Sequence, residues 1–276
     1  VKVEYDPALV EEAVHLLARA DPARWRAYRK RVDPLYDAGD REARLPAATL
    51  DLLREWGGAG AVHEALLLLE GVDRALVARS RRPGDEGADL LVGAERTVLL
   101  RLGAERFADA PALARFLRHE VRHVADMLDP AFGYRPDLGM GKRTRAEQEL
   151  VRARYRVLWD LAVDGREGCP VPPEQRRAEL DRAFSALDPG QRARLAAAAP
   201  RTHDALLSVA RDPWAFLGEP RTKGAAKGEP CPLCGFPTHD WDPEPPSDAI
   251  RADFPAWQPV QGACRQCGDL YRVAAS

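Results

Sequence analysis

Asparagine is missing from the sequence altogether and isoleucine occurs once, at Ile250, while alanine and arginine are abundant. That bias fits GC-rich coding, and a scarcity of thermolabile amides also fits a heat-tolerant source; composition does not separate the two. No run approaches the ~18 uninterrupted apolar residues of a membrane span, so no membrane association is expected. The opening residues, VKVEYDPALVEEAV, hold no basic stretch followed by an apolar one, so no secretory signal is expected in them. Excess charge is lacking too: the formal net charge is −2 and the pI is near 6.4. Nothing in that balance invites a phosphate backbone, so a nucleic-acid partner is not expected. What remains is ordinary for a globular chain, 45% apolar and 30% charged over 276 residues. That length accommodates one sizeable core with a smaller appendage, or two modest domains.

Four of the five cysteines form two C-x-x-C pairs near the C-terminus. Without a signal segment this reads as metal binding in a reducing compartment, the cytoplasm, and not as disulfides. Cys169, beside Pro170, is left over and reads as a bystander.

Along the chain, residues 7–80 read as helical. Asp6-Pro7 and Asp21-Pro22 are helix openings, Pro46 leads into a helix over 47–56, and a longer helix is expected over 59–77. His63-Glu64 lies in it with no second histidine four residues on, and reads as incidental. The turn-rich segment 81–87 breaks the pattern. Two short apolar runs, 88–92 and 97–102, then predict a β-hairpin. Asp109-Ala110-Pro111 opens a helix that stops at Asp129-Pro130. Further helices are expected over 144–163, 173–187, 190–199 and 202–211. Residues 218–230 have the composition of a linker. The expected division is an N-terminal helical region (1–80), a metal-site region (81–217), the linker, and a cysteine-bearing domain (231–276).

Within the helix after the hairpin stands His119-Glu120-Val121-Arg122-His123. Zinc favours imidazole nitrogens, and two histidines four apart project from one side of a helix. Glu120 points about 100° away from His119, placed to take a proton from water that a metal has acidified without itself ligating the metal. On a helical wheel Leu113, Phe116, Leu117, Val121, Val124 and Leu128 form one apolar stripe, and Arg115, Arg118 and Arg122 form another that faces solvent. His119 and His123 lie between them, as on a cleft wall. Asp126 shares their side and is the candidate to orient an imidazole by accepting its N–H.

A strand pair running through a short loop into an HExxH helix resembles the zincin-like metallopeptidases over about residues 88–164. The resemblance implies an α+β, predominantly helical fold with a zincin-like core. It also implies a catalytic zinc on His119 and His123, Glu120 as general base, and a third ligand from downstream. The edge strand before the helix, 97–102 by this analogy, would hold an extended peptide or protein substrate by strand addition.

No histidine follows His123 within a few turns, so the metzincin pattern is absent, and the resemblance is of the gluzincin type, which implies a glutamate on a later helix as third ligand. On the 144–163 helix Glu147 sits on the apolar stripe, while Glu149, Asp160 and Asp164 fall on the far side. A buried carboxylate needs compensation, which a metal would supply; pairing with Arg143 or Arg154 would as well. Glu147 is therefore the expected third ligand, with Asp126 or another carboxylate brought in by the fold as the alternative. Arg154, Tyr155 and Tyr134 are the candidate oxyanion donors.

Cys231-Pro232-Leu233-Cys234 and Cys264-Arg265-Gln266-Cys267 are separated by 29 residues, and each is followed by glycine (Gly235, Gly268). Two such pairs resemble the knuckles of a zinc ribbon, a closed structural site of four thiolates that supplies folding energy to a domain too poor in apolar residues to fold alone. Two zinc ions per chain are thus expected, one catalytic and one structural. His239 reads as a bystander. Residues 231–276 carry six acidic residues against three arginines, the wrong sign for phosphate. Phe236, Trp241, Phe254, Trp257 and Tyr271 read instead as a small core or a protein-docking face.

Three functions follow. The leading expectation is a zinc-dependent hydrolase, most specifically a metallopeptidase. The alternative is a non-catalytic adaptor acting through the ribbon, with HExxH structural or vestigial. A carboxylate-bridged di-iron bundle would need a second E-x-x-H, and none is present.

Overall fold

The computed structural model describes residues 1–37, 41–141, 143, 145–167, 173–218 and 228–274. Cys169 and most of the expected linker, 219–227, lie outside the described residues. The fold is mixed α+β and predominantly helical.

Strand β1 (Lys2–Tyr5) leads into helices α1 (Pro7–Ala20), α2 (Pro22–Asp37), α3 (Arg41–Glu55) and α4 (Gly58–Leu66). Strands β2 (Arg74–Arg79), β3 (Gly87–Val92) and β4 (Arg96–Leu102) precede α5 (Ala110–Leu128) and α6 (Arg145–Glu167). Then come α7 (Pro173–Ala183), α8 (Pro189–Ala197), α9 (His203–Arg211), α10 (Pro213–Leu217), strands β5 (Glu229–Pro230) and β6 (Pro237–Thr238), and helices α11 (Ser247–Asp253) and α12 (Arg265–Ala274). The chain forms two compact units, one of residues 1–138, 162–171 and 201–203, the other of 139–161, 172–200 and 204–276.

In the first unit a four-stranded sheet has the order β1-β2-β4-β3. β1, β2 and β4 are parallel, and β3 closes one edge antiparallel to β4. Two of these strands are absent from the sequence expectation. The helix expected over 59–77 ends at Leu66, and the chain turns at Gly71, whose φ of 72° is left-handed, before entering β2. Arg74–Arg79 then alternates, burying Ala75 and Val77. A short apolar run satisfies helix and strand periodicity equally, and here the parallel partners β1 and β4 decide. Of the four leucines at 66–69, Leu66 and Leu69 are buried while Leu67 and Leu68 are exposed. Pro46 lies inside α3, which begins at Arg41.

The core of this unit joins α1 (Leu9, Val10, Ala13, Val14), β4 (Val98, Leu100, Leu102) and α5 (Leu113, Leu117, Val121, Val124). Residues 1–80 therefore share one core with the HExxH helix. Each such side chain contributes about 1.5–3 kcal/mol by leaving water. Helix α1 opens as its sequence requires, with Asp6 accepting from the Ala8 N–H at 2.9 Å and Pro7 in the first turn.

In the second unit Phe184, Leu158, Leu195 and Leu206 are fully buried. Helix α8 begins with a capping box in which Asp188 and Gln191 exchange hydrogen bonds of 2.8 Å. No described helix is long and apolar enough to cross a membrane.

Candidate metal centres

Helix α5 has the bounds its caps dictate. Asp109 accepts from the Ala112 N–H at 2.9 Å, Pro111 occupies the first turn, and the chain leaves at Asp129. Burying Leu113, Leu117, Val121 and Val124 in the core fixes the rotation of the helix, and that rotation sets the two histidines on its flank. His123 is buried and His119 half-buried. Their Nε2 atoms stand 3.2 Å apart, with ring planes at 75°. One ring donating to the other accounts for that spacing. So does a shared ion, since two ligands on a tetrahedral zinc with arms of about 2.05 Å lie about 3.3 Å apart.

Behind His119, Asp164 Oδ1 lies 3.0 Å from Nδ1, off the line of the ring N–H. The carboxylate thus occupies the side of the imidazole away from His123. Asp126, expected to orient a histidine, is engaged elsewhere. Its oxygens accept from Arg166 Nη1 at 2.7 Å and Nη2 at 2.5 Å, and Arg166 Nε donates to the Ala162 carbonyl at 3.1 Å. A fork of this kind neutralises a buried carboxylate. It also ties the last turns of α6 to α5, which is what brings Asp164 to His119.

Glu147 stands at an exposed position of α6, so the argument from buried charge does not apply to it. Asp160 instead lies one turn before Asp164 on the same side of α6. The readable signal was the D-x-x-x-D spacing, which pairs two carboxylates on one helix side as H-x-x-x-H pairs two imidazoles.

Glu120 reaches the sheet. Its Oε2 accepts from the Ala88 N–H of β3 at 3.1 Å. Gly87 has a φ of 148°, and a Cβ there would stand 3.1 Å from the same oxygen, so the close approach of strand and glutamate depends on a missing side chain. Glu86 anchors the entry to β3, accepting from the Gly103 N–H at 2.8 Å and from Arg106 Nη2 at 2.7 Å. Burial pushes the Glu86 carboxyl up, but Arg106 and the Gly103 amide outweigh it and hold the group below its usual range. The strand beside the glutamate is therefore β3, the sheet edge; 97–102 is β4, paired on both sides.

The expected oxyanion donors are placed as packing groups. In the second unit Arg154 Nε donates to the Ala183 carbonyl at 3.0 Å and its guanidinium stacks over Phe184, while Tyr155 meets Trp159 edge-on. In the first unit Tyr134 packs edge-on against His203, its hydroxyl pushed up by burial and then by Asp89.

The four cysteines converge. Their sulfurs lie within 4.8 Å of one another, with Cys231–Cys267 at 4.0 Å and Cys234–Cys264 at 3.9 Å. A tetrahedral zinc with arms of about 2.3 Å separates sulfurs by about 3.8 Å. The first pair forms a knuckle: Gly235, at φ 75°, returns its N–H to the Cys231 carbonyl at 2.8 Å. The second pair differs from the expected knuckle, since Cys267 lies in the first turn of α12. Gly268 serves a different need there. A Cβ on it would fall 1.7 Å from Asp242 Oδ2, whose buried carboxylate accepts from Arg272 Nη2 at 2.6 Å.

Burial raises the Cys231 thiol, but N–H donors from Cys264, Cys234 and Leu233 outweigh it and bring it to about 7. Cys267 is pushed up by burial and then by its sulfur neighbours Cys264 and Cys234. Four thiolates at this spacing need a cation among them. Trp257, Ile250 and Ala263 form the small core around the sulfurs, while Phe236 is 74% exposed.

Comparison with protein-family models, with curated protein sequences and with solved structures finds no match to this chain.

Proposed function

We propose that the chain is a zinc-dependent hydrolase whose site is carried by α5 and the C-terminal half of α6, with a second, structural zinc on the four cysteines. The observation that carries the reading is the pair of Nε2 atoms 3.2 Å apart with the Asp164 carboxylate behind one ring. Imidazoles that bind metal use one nitrogen for the ion and the other for a carboxylate or carbonyl partner. When bound, zinc provides Lewis acidity and lowers the pKa of water.

The residues around it have separable tasks. Glu120 receives the proton from water, and the Ala88 amide holds its carboxylate at the sheet. Asp164 fixes the His119 ring. The Asp126–Arg166 fork holds the two helices together. The edge position of β3 favours a peptide substrate, because an edge strand offers unpaired backbone groups to an extended chain, and β3 starts beside Glu120. Metallopeptidase is accordingly the finer reading.

The test is cleavage of a peptide library, followed by mass spectrometry, with wild type and Glu120→Gln at equal zinc content. Turnover by wild type alone supports the reading. Equal turnover by both removes Glu120 as the base, and no turnover by either leaves the cysteine-bearing domain as an adaptor the better account. One feature favours that second reading: α12 exposes Leu270 and Val273 beside the cysteine cluster.

A further inference from the structure

The four cysteines of the cluster are alike in spacing and unlike in access. Cys231, Cys264 and Cys267 are each at most 7% exposed, packed with Ile250, Trp257 and Ala263 in a small core of the second unit. Cys234 is exposed. The difference follows from what carries each sulfur. Cys264 pairs with Trp241 in a β-bridge, and Cys267 lies in the first turn of α12. Cys234 instead stands in the tight turn that Gly235 closes, and the two residues after it, Gly235 and Phe236, are exposed as well.

The backbone also treats the sulfurs unequally. Cys231 Sγ accepts from the Cys264 N–H at 3.3 Å and from the amides of Leu233 and Cys234. Cys264 Sγ accepts from the Cys267 N–H at 3.4 Å. Among the described residues no backbone amide is directed at the sulfur of Cys234 or of Cys267, which meet the other sulfurs only. An N–H donor stabilises the charge of a thiolate and weakens it as a nucleophile. Cys267 lacks such a donor but is covered. Cys234 lacks one and is open.

A thiol that coordinates a metal is deprotonated outright, and the thiolate is the form that attacks. We propose that Cys234 is a modification site of this chain, the thiolate that a soft electrophile reaches first, with a peroxide as the oxidant class. The proposal rests on the structural zinc inferred above. Cys234 attacks one oxygen of the peroxide, the O–O bond breaks, and hydroxide departs to leave a sulfenic acid on the sulfur. The Cys264 thiolate, 3.9 Å away, then attacks that sulfur and expels a second hydroxide, which forms a Cys234–Cys264 disulfide. Two thiolates are oxidised and one peroxide is reduced to two hydroxides. The ion loses one ligand from each C-x-x-C pair and is released.

The test treats the full-length, zinc-loaded protein with substoichiometric iodoacetamide, denatures it, caps the remaining thiols with N-ethylmaleimide, and assigns both labels by peptide mass spectrometry. Cys234 should carry about tenfold more of the first label than Cys231, Cys264 or Cys267. Equimolar hydrogen peroxide should give the Cys234–Cys264 disulfide first, with zinc passing to a chelating dye in step. Cys234→His keeps a ligand for zinc and removes the thiolate, so its peroxide-dependent zinc release should slow about tenfold. Even labelling of the four cysteines, first reaction at one of the other three, or release as fast in Cys234→His as in wild type overturns the proposal. Zinc analysis of the untreated samples separates this failure from that of the underlying reading. A loaded cluster that labels evenly overturns the proposal alone, whereas cysteines without metal overturn the structural zinc and the proposal with it.

Discussion

His119 Nδ1 and Asp164 Oδ1 stand 3.0 Å apart, joining the HExxH helix to the end of the helix that follows it. An imidazole backed by a carboxylate is oriented and made more basic at its other nitrogen. Asp164→Ala should therefore weaken zinc at the histidine site about 10–100-fold while leaving the cysteine-bound zinc in place. Competition with a graded series of chelators reads this directly. A variant that holds its histidine-site zinc as tightly as wild type would count against the assignment.

The Asp126–Arg166 fork is the second junction between these helices. Asp126 is almost wholly buried and Arg166 largely so. Removing one partner strands the other, so Arg166→Leu should destabilise the fold by about 3–5 kcal/mol. Pairing it with Asp126→Leu should recover part of that loss. Denaturant midpoints for the single and double variants check the expectation.

Gly87 and Glu120 make a third contact of consequence. Gly87→Ala asks an L-residue to hold φ at 148° and presses a methyl toward the carboxylate, a strain of about 1–3 kcal/mol. If the displaced group is the base, as proposed, and not a ligand, zinc content should stay at the wild-type level while turnover falls. Loss of metal in this variant would place the contact in the ligand set instead.

Glu86 links stability to pH. Its carboxyl, ordinarily near 4.5, is lowered in the folded chain, with Arg106 and the Gly103 amide outweighing burial. A depressed folded value means the contribution is fully present above the ordinary pKa and is lost as pH falls through the folded one. Glu86→Gln should flatten the stability profile below about pH 5 and leave its shape at neutral pH unchanged. Thermal midpoints across pH 3–8 would show it.

The two elements that carry local punctuation were legible from residues alone. Asp109-Ala110-Pro111 and Asp129 delimit α5, and two short apolar runs on either side of a three-residue turn delimit the β3–β4 hairpin. Non-local pairing decided the rest. Arg74–Arg79 reads as helix until β1 and β4 lie on either side of it, and Lys2–Tyr5 is too short to announce a strand.

At the site, α5 supplied its own evidence through His119, Glu120 and His123. Glu147 shares a stripe with apolar residues on a helical wheel, but a stripe tells only which side of a helix packs, and Glu147 itself is exposed. The Arg166–Asp126 fork joins α5 to the last turns of α6, where Asp164 lies. At the cysteines, spacing announced the cluster but not its scaffold. Gly268 looked like a knuckle glycine and instead makes room for Asp242 beside the start of α12.

The central claim is that this chain holds two separable zinc sites. Metal analysis of the purified protein, of His119→Ala/His123→Ala and of Asp164→Ala measures it most directly. The account predicts two zincs per chain in wild type, one in the double histidine variant, and a histidine-site zinc that chelator strips more readily from Asp164→Ala than from wild type. One zinc per chain in wild type, unchanged by the histidine substitutions, would contradict it.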